Sequence, residues 1–216
     1  TPATSISVVD LQAGKQVSEI PNPGCYGIYP SSQDGRRFAT MCGDGTFGTY
    51  VLAEDGSDAE RTASEPIFDP EENALFIHGE RDGDTWLFVT FKGDLYRVDL
   101  EGDAATLVEQ KTFAEEGWRP SGYQTHFYHQ PSGTLFVLMH PNGGEGSHKN
   151  PAEEIWAFDV AGGRLLSRSP TSTAFALTGG QQDGVPVLYA ANLVESKVHR
   201  YTADPAGLQV RADSEW

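Results

Sequence analysis

Short runs of alternating apolar and polar residues, separated by turns rich in glycine, asparagine and aspartate, occupy nearly the whole chain, and no segment sustains a helical period. Alternation with period two places successive side chains on opposite faces of a strand. Two such runs come first, at 5–10 and 16–20. Four sets of four follow: 25–29, 37–41, 47–52 and 58–62; 75–78, 85–91, 94–100 and 105–109; 123–129, 134–139, 154–160 and 164–167; 174–178, 185–190, 197–202 and 208–212. A common phrase ends the third run of each set ahead of a glycine turn. It reads Val8-Val9-Asp10 before Gly14, Val51-Leu52-Ala53 before Gly56, Arg97-Val98-Asp99 before Gly102, Ala157-Phe158-Asp159 before Gly162 and Arg200-Tyr201-Thr202-Ala203 before Gly207. The phrase falls at 10, 53, 99, 159 and 203, steps of 43, 46, 60 and 44 residues. Four-stranded propeller blades repeat every 40 to 50 residues or so.

The expected fold is therefore all-β: a β-propeller of about four and a half four-stranded blades, at 1–20, 25–62, 75–109, 123–167 and 174–212, within one domain spanning 1–216. The first set holds only a third and fourth strand, and a seven-bladed ring needs roughly 315 residues. The expectation is thus a part of a larger ring. The long 60-residue step carries two insertions, 112–120 and 140–151. Excursions of that kind are where propellers hold partners, which makes His140, Glu145, His148 and Lys149 a candidate partner-contact loop.

Composition sharpens this picture. With 24 Gly and 13 Pro among 216 residues, the chain suits many short strands better than long helices. No apolar run reaches the roughly 18 residues of a membrane span. The opening Thr1-Pro2-Ala3-Thr4 has neither the charged start nor the apolar stretch of a signal peptide, so a secretion signal has been removed or the chain is cytosolic. The 31 acidic residues outnumber 15 basic ones, a formal charge of −16. Such a field repels nucleic acid and anionic membrane and favours basic partner surfaces or cationic ligands, unless it serves solubility alone.

Candidate chemistry is sparse. If 25–29 and 37–41 pair as antiparallel neighbours, Cys25 and Cys42 fall within bridging range; a disulfide and two half-buried thiols are both open. A bridge implies an oxidising compartment. His126 and His129 point to opposite faces of one strand, which argues against a shared metal. His140, Glu145 and His148 share a loop without ligand spacing, so no metal site is expected. The pairs Glu115-Glu116 and Glu153-Glu154 are sequence neighbours and cannot readily face each other across a sugar. Asp44 and Asp94 sit where a second strand turns into a third, positions that turn chemistry explains. No G-x-S-x-G, P-loop or dinucleotide fingerprint occurs. No catalytic residue is assigned to this chain.

Several strings resemble the heavy (large, α) subunit of the periplasmic quinoprotein amine dehydrogenases, the methylamine and aromatic amine dehydrogenases. They are Pro2-Ala3-Thr4-Ser5-Ile6 with Val9-Asp10; Gly24-Cys25 followed by Phe38-Ala39-Thr40-Met41-Cys42-Gly43-Asp44-Gly45; and Met139-His140-Pro141 through Glu145-Gly146-Ser147-His148-Lys149 to Pro151-Ala152-Glu153-Glu154-Ile155-Trp156. The resemblance implies a seven-bladed propeller in the periplasm and an intrachain disulfide between Cys25 and Cys42. It implies a scaffold role in a heterotetramer of two heavy and two small subunits that deaminates primary amines oxidatively. The cofactor, tryptophan tryptophylquinone, then resides on the small subunit, so Trp86, Trp118, Trp156 and Trp216 are not the quinone. Electrons pass to a blue copper protein, and the isolated chain is expected to be inactive. Two other readings stand beside it: a stand-alone propeller interaction module, and a propeller hydrolase or lactonase with a metal in the central channel. The latter wants acids on the first strands, which here are mostly apolar and aromatic.

Overall fold

Five antiparallel sheets follow one another along the chain in the computed structural model, which describes residues 4–204 and 208–216. Residues 1–3, including the Pro2-Ala3 of the first family-like string, and the fifth turn glycine, Gly207, lie outside the described residues. The first sheet pairs β1 (Ser5–Asp10) with β2 (Lys15–Pro21). The second runs β3 (Cys25–Pro30), β4 (Arg37–Cys42), β5 (Phe47–Leu52) and β6 (Ala59–Ala63) in sequence order. The third runs β7 (Leu75–Asp82), β8 (Thr85–Thr90), β9 (Asp94–Asp99) and β10 (Thr106–Thr112). The fourth contains β11 (Trp118–Pro120), β12 (His126–His129), β13 (Thr134–Pro141), β14 (Ala152–Asp159) and β15 (Arg164–Ala174). The fifth runs β16 (Ala176–Gln182), β17 (Val185–Asn192), β18 (Lys197–Ala203) and β19 (Val210–Glu215). Sheets in sequence order, each a meander, with first strands β3, β7, β12 and β16 touching in succession, make a β-propeller arrangement.

Period-two alternation explains how the blades hold together. In β13, Leu135, Val137 and Met139 pack toward the third blade, whereas Phe136 and Leu138 pack toward the fifth. In β8, Leu87 and Val89 face the fourth blade and Phe88 faces the second. Middle strands such as β8 and β13 are therefore apolar on both faces, and the core is a series of seams between sheets. Trp156, Phe136 and Phe158 are almost fully buried in these seams, and each such side chain contributes roughly 1.5–3 kcal/mol. The last strands β6, β10 and β19 are mostly exposed and polar, as outer edges should be.

The turn from second to third strand repeats a device. The Gly45 carbonyl accepts the N–H groups of Ile67 and Phe68, and the Gly93 carbonyl accepts those of Phe113 and Ala114. Both glycines have positive φ, 87° and 91°, and a Cβ would meet Phe68 O at 2.1 Å or Ala114 Cβ at 2.2 Å. The turn thereby ties the second and the third blade to the connection leading into the next.

The fourth blade departs most from the sequence expectation. Its first strand is in two pieces: β12 pairs with Thr134 to Val137, and β11 pairs with Met139 to Pro141. The stretch 112–120 therefore ends in a strand. β15 extends to Ala174, so the fifth blade begins at Ala176 rather than 174, and its final strand starts at Val210 rather than 208.

Candidate functional site

A cleft of about 570 Å³ opens at the strand ends between the third and fourth blades. Its walls come from the connection before β7 (Glu71, Glu72), the β8–β9 turn (Phe91, Lys92), β11 (Arg119) and the loop after β13 (Glu145, His148). Local hydrogen bonding fixes each wall. The Asp69 carboxylate accepts the N–H groups of Glu71 and Glu72 at 2.9 and 3.0 Å, an Asx-type turn that aims the glutamates outward. Asn73 links that turn to the next by donating to Asp94 at 2.8 Å and accepting the Lys92 N–H at 3.0 Å. Lys92 reaches Glu72 at 3.4 Å.

The loop between β13 and β14 is equally tied down. Gly143 N–H donates to Gly117 O at 2.9 Å and Gly122 N–H to His148 O at 2.9 Å, which anchors the loop to both ends of β11. The Ser147 hydroxyl accepts from Gly144 N–H and donates to Gly144 O, closing the tip before the short 3₁₀ turn Ser147–Lys149. The His148 ring stacks on Phe91 across the seam, 4.1 Å between centroids at 20°. Burial there, and then Lys149, lowers its pKa below the ordinary histidine value. The cleft thus has an aromatic floor and carboxylate and cationic rims.

Three of the four proposed contact residues belong to this region. Glu145 and Lys149 are exposed, and Glu145 and His148 line the cleft. His140 does not belong to the loop surface: it lies in β13, 2% exposed, with Nδ1 at 2.8 Å from Pro141 O. Eight β13 residues stay in strand because β11 supplies a partner as far as Pro141, which turns His140 inward. Burial lowers its pKa as well.

The carboxylate pairs separate. Glu154 accepts Arg168 at 2.8 Å and Trp156 Nε1 at 2.6 Å, and Glu115 accepts Arg168 at 2.7 Å. Arg168 lies 4.4 and 4.5 Å from the Trp118 and Trp156 ring centroids. Those rings are 5.4 Å apart. Glu154, through hydrogen bonding, leads the groups that hold the Arg168 pKa above its ordinary value. Glu116 and Glu153 are exposed. This constellation is a clamp that pins β11 to the blade, with the Arg168 guanidinium packed against the Trp118 and Trp156 rings.

His126 and His129 face opposite seams: His129 Nε2 is 3.2 Å from Gln181 in the fifth blade, and the His126 ring is 4.8 Å from His78 in the third. Among the described residues no group of three or more His, Cys, Asp or Glu side chains is arranged to hold a metal. Cys25 and Cys42 are joined by a disulfide at the paired ends of β3 and β4, with Arg61 Nη2 at 3.9 and 3.7 Å from the sulfurs. Glu71, Glu72, Lys92 and Arg119 carried no sequence signal, since three distant segments bring them together; the only hint was the turn Lys92-Gly93-Asp94.

Solved structures share the fold at low identity. The chain aligns over 98% of its length with the Dos1 propeller (TM-score 0.60, 11% identity, 52% of that chain). It aligns over the same share with a protein from Lactobacillus plantarum (TM-score 0.63, 10% identity, 64% of that chain). Sequence comparison is more specific. Heavy chains of methylamine dehydrogenase from Methylorubrum extorquens and Paracoccus versutus are 30% and 26% identical over 213 and 211 residues, covering 95% and 94% of this chain. The chain spans about half the length of these curated relatives, 50% and 48%. The profile of the methylamine dehydrogenase heavy chain family matches residues 1–213, and with blades, seams and turns of a propeller already in place, the chain belongs to that family.

Proposed function

We propose that this chain serves as scaffold in the heavy subunit of a periplasmic amine dehydrogenase, holding a small subunit against the cleft between its third and fourth blades. The family match over 1–213 carries this reading. The cofactor is tryptophan tryptophylquinone on the small subunit, where it takes up the amine's electrons. A blue copper protein receives those electrons, and two heavy and two small subunits make the assembly. The role of this chain is binding and orientation: Glu71 and Glu145 in the cleft and the exposed Lys149 beside it offer charged contacts, and His148 on Phe91 offers a flat, half-buried one. The Cys25–Cys42 bridge suits an oxidising compartment.

Purified without a small subunit, the protein is expected to lack visible quinone absorption and to leave a dye acceptor unreduced in methylamine or an aromatic amine. Dye reduction by the protein alone would overturn the scaffold reading.

A further inference from the structure

We propose that His78 and His126 form an acid-sensitive latch on the seam between the third and fourth blades. The two imidazoles meet where the first strands β7 and β12 touch, with ring centroids 4.8 Å apart. His126 is fully buried and its Nδ1 lies 3.0 Å from the Thr125 hydroxyl. His78 is half-buried and bonded to Glu80 at 3.0 Å.

Among the described residues, a proton on His126 finds no free anion beside it. On β7, Glu80 is engaged by His78, and Asp82 is ion-paired with Arg97 of β9. β8 presents the Leu87 carbonyl, a partial dipole that favours the proton only weakly beside the cost of burial. Across β13 the opposing residue is Val137, and the β16 contact, Gln181, reaches His129 on the other face. Burial first, and His78 second, hold the His126 pKa well below the ordinary value. The sign follows: an unfolded or opened chain, whose histidine titrates near about 6.5, takes the proton before the closed one does. Stability from the neutral His126 is complete above that pH and is lost as pH falls toward the closed-state value. Because the same two blades supply the walls of the cleft, acid loosens those walls together with the seam.

Hydrogen exchange read by mass spectrometry on the folded protein tests the latch, comparing β7 and β12 with β4 at about pH 7.5 and 5.5 after correction for intrinsic rates. Wild type should show β7 and β12 exchange rising roughly fivefold or more relative to β4 on acidification. His126→Leu, which has no proton to take, should abolish that rise; His129→Gln, on the other seam, should leave it intact. A uniform rise across all blades, or an unaltered rise in His126→Leu, overturns the latch. Should His126→Leu fail to fold, His126→Gln, which likewise takes no proton, is read in its place, and an unaltered rise there does the same.

Discussion

Arg168 shows how one side chain can settle what several sequence features mean. Glu115, Glu154, Trp118 and Trp156 could each have been read as chemistry, yet all four converge on its guanidinium. A planar cation fits this place because it can lie along two indole rings and still present a fork to Glu154. Lysine keeps the charge and loses the plane. Arg168→Lys is therefore expected to destabilise the fold by about 1–2 kcal/mol, the scale of a partly exposed cation–π contact plus a bidentate pair. Equilibrium urea unfolding would show it as a lower midpoint with an unchanged slope. An unaltered midpoint would mean that the clamp is ornamental to β11.

Among the elements, the β4–β5 and β8–β9 turns carry the most consequence, because each bonds the connection into the following blade. Gly93→Ala puts a methyl group into Ala114 and strains a left-handed backbone. It should cost about 2–4 kcal/mol and lower the thermal midpoint. Gly83→Ala, also at positive φ but with open space around it, should cost only about 1 kcal/mol. Equal costs for the two would contradict the tie. Most strands were legible from alternation because buried middle strands such as β8 and β13 can hardly be anything else. β11 was not: Trp118-Arg119-Pro120 is three residues long, contains proline and sits in a polar stretch, and only its pairing with Met139 to Pro141 makes it a strand. The same hidden pairing explains the misplacement of His140. The cleft was illegible for a different reason, since no local spacing relates residues 71–72, 91–92, 119 and 145–148.

For the whole molecule, the surface is strongly anionic, with a formal charge of −16. Among the described residues the loop between β13 and β14 and the connection opposite it add exposed acids at Glu71, Glu72 and Glu145. A partner held there is expected to offer basic groups, and its association to weaken as salt rises. The central claim is that this propeller holds a small subunit at that cleft, and light scattering on a size-exclusion column after mixing the protein with a methylamine dehydrogenase small subunit tests it most directly. The account predicts a complex with equal numbers of the two chains. It also predicts roughly tenfold or greater weakening by the double charge reversal Glu71→Lys, Glu145→Lys, with the propeller's circular dichroism and disulfide unchanged. Absence of a complex at micromolar concentrations, or a complex indifferent to that reversal, would contradict it.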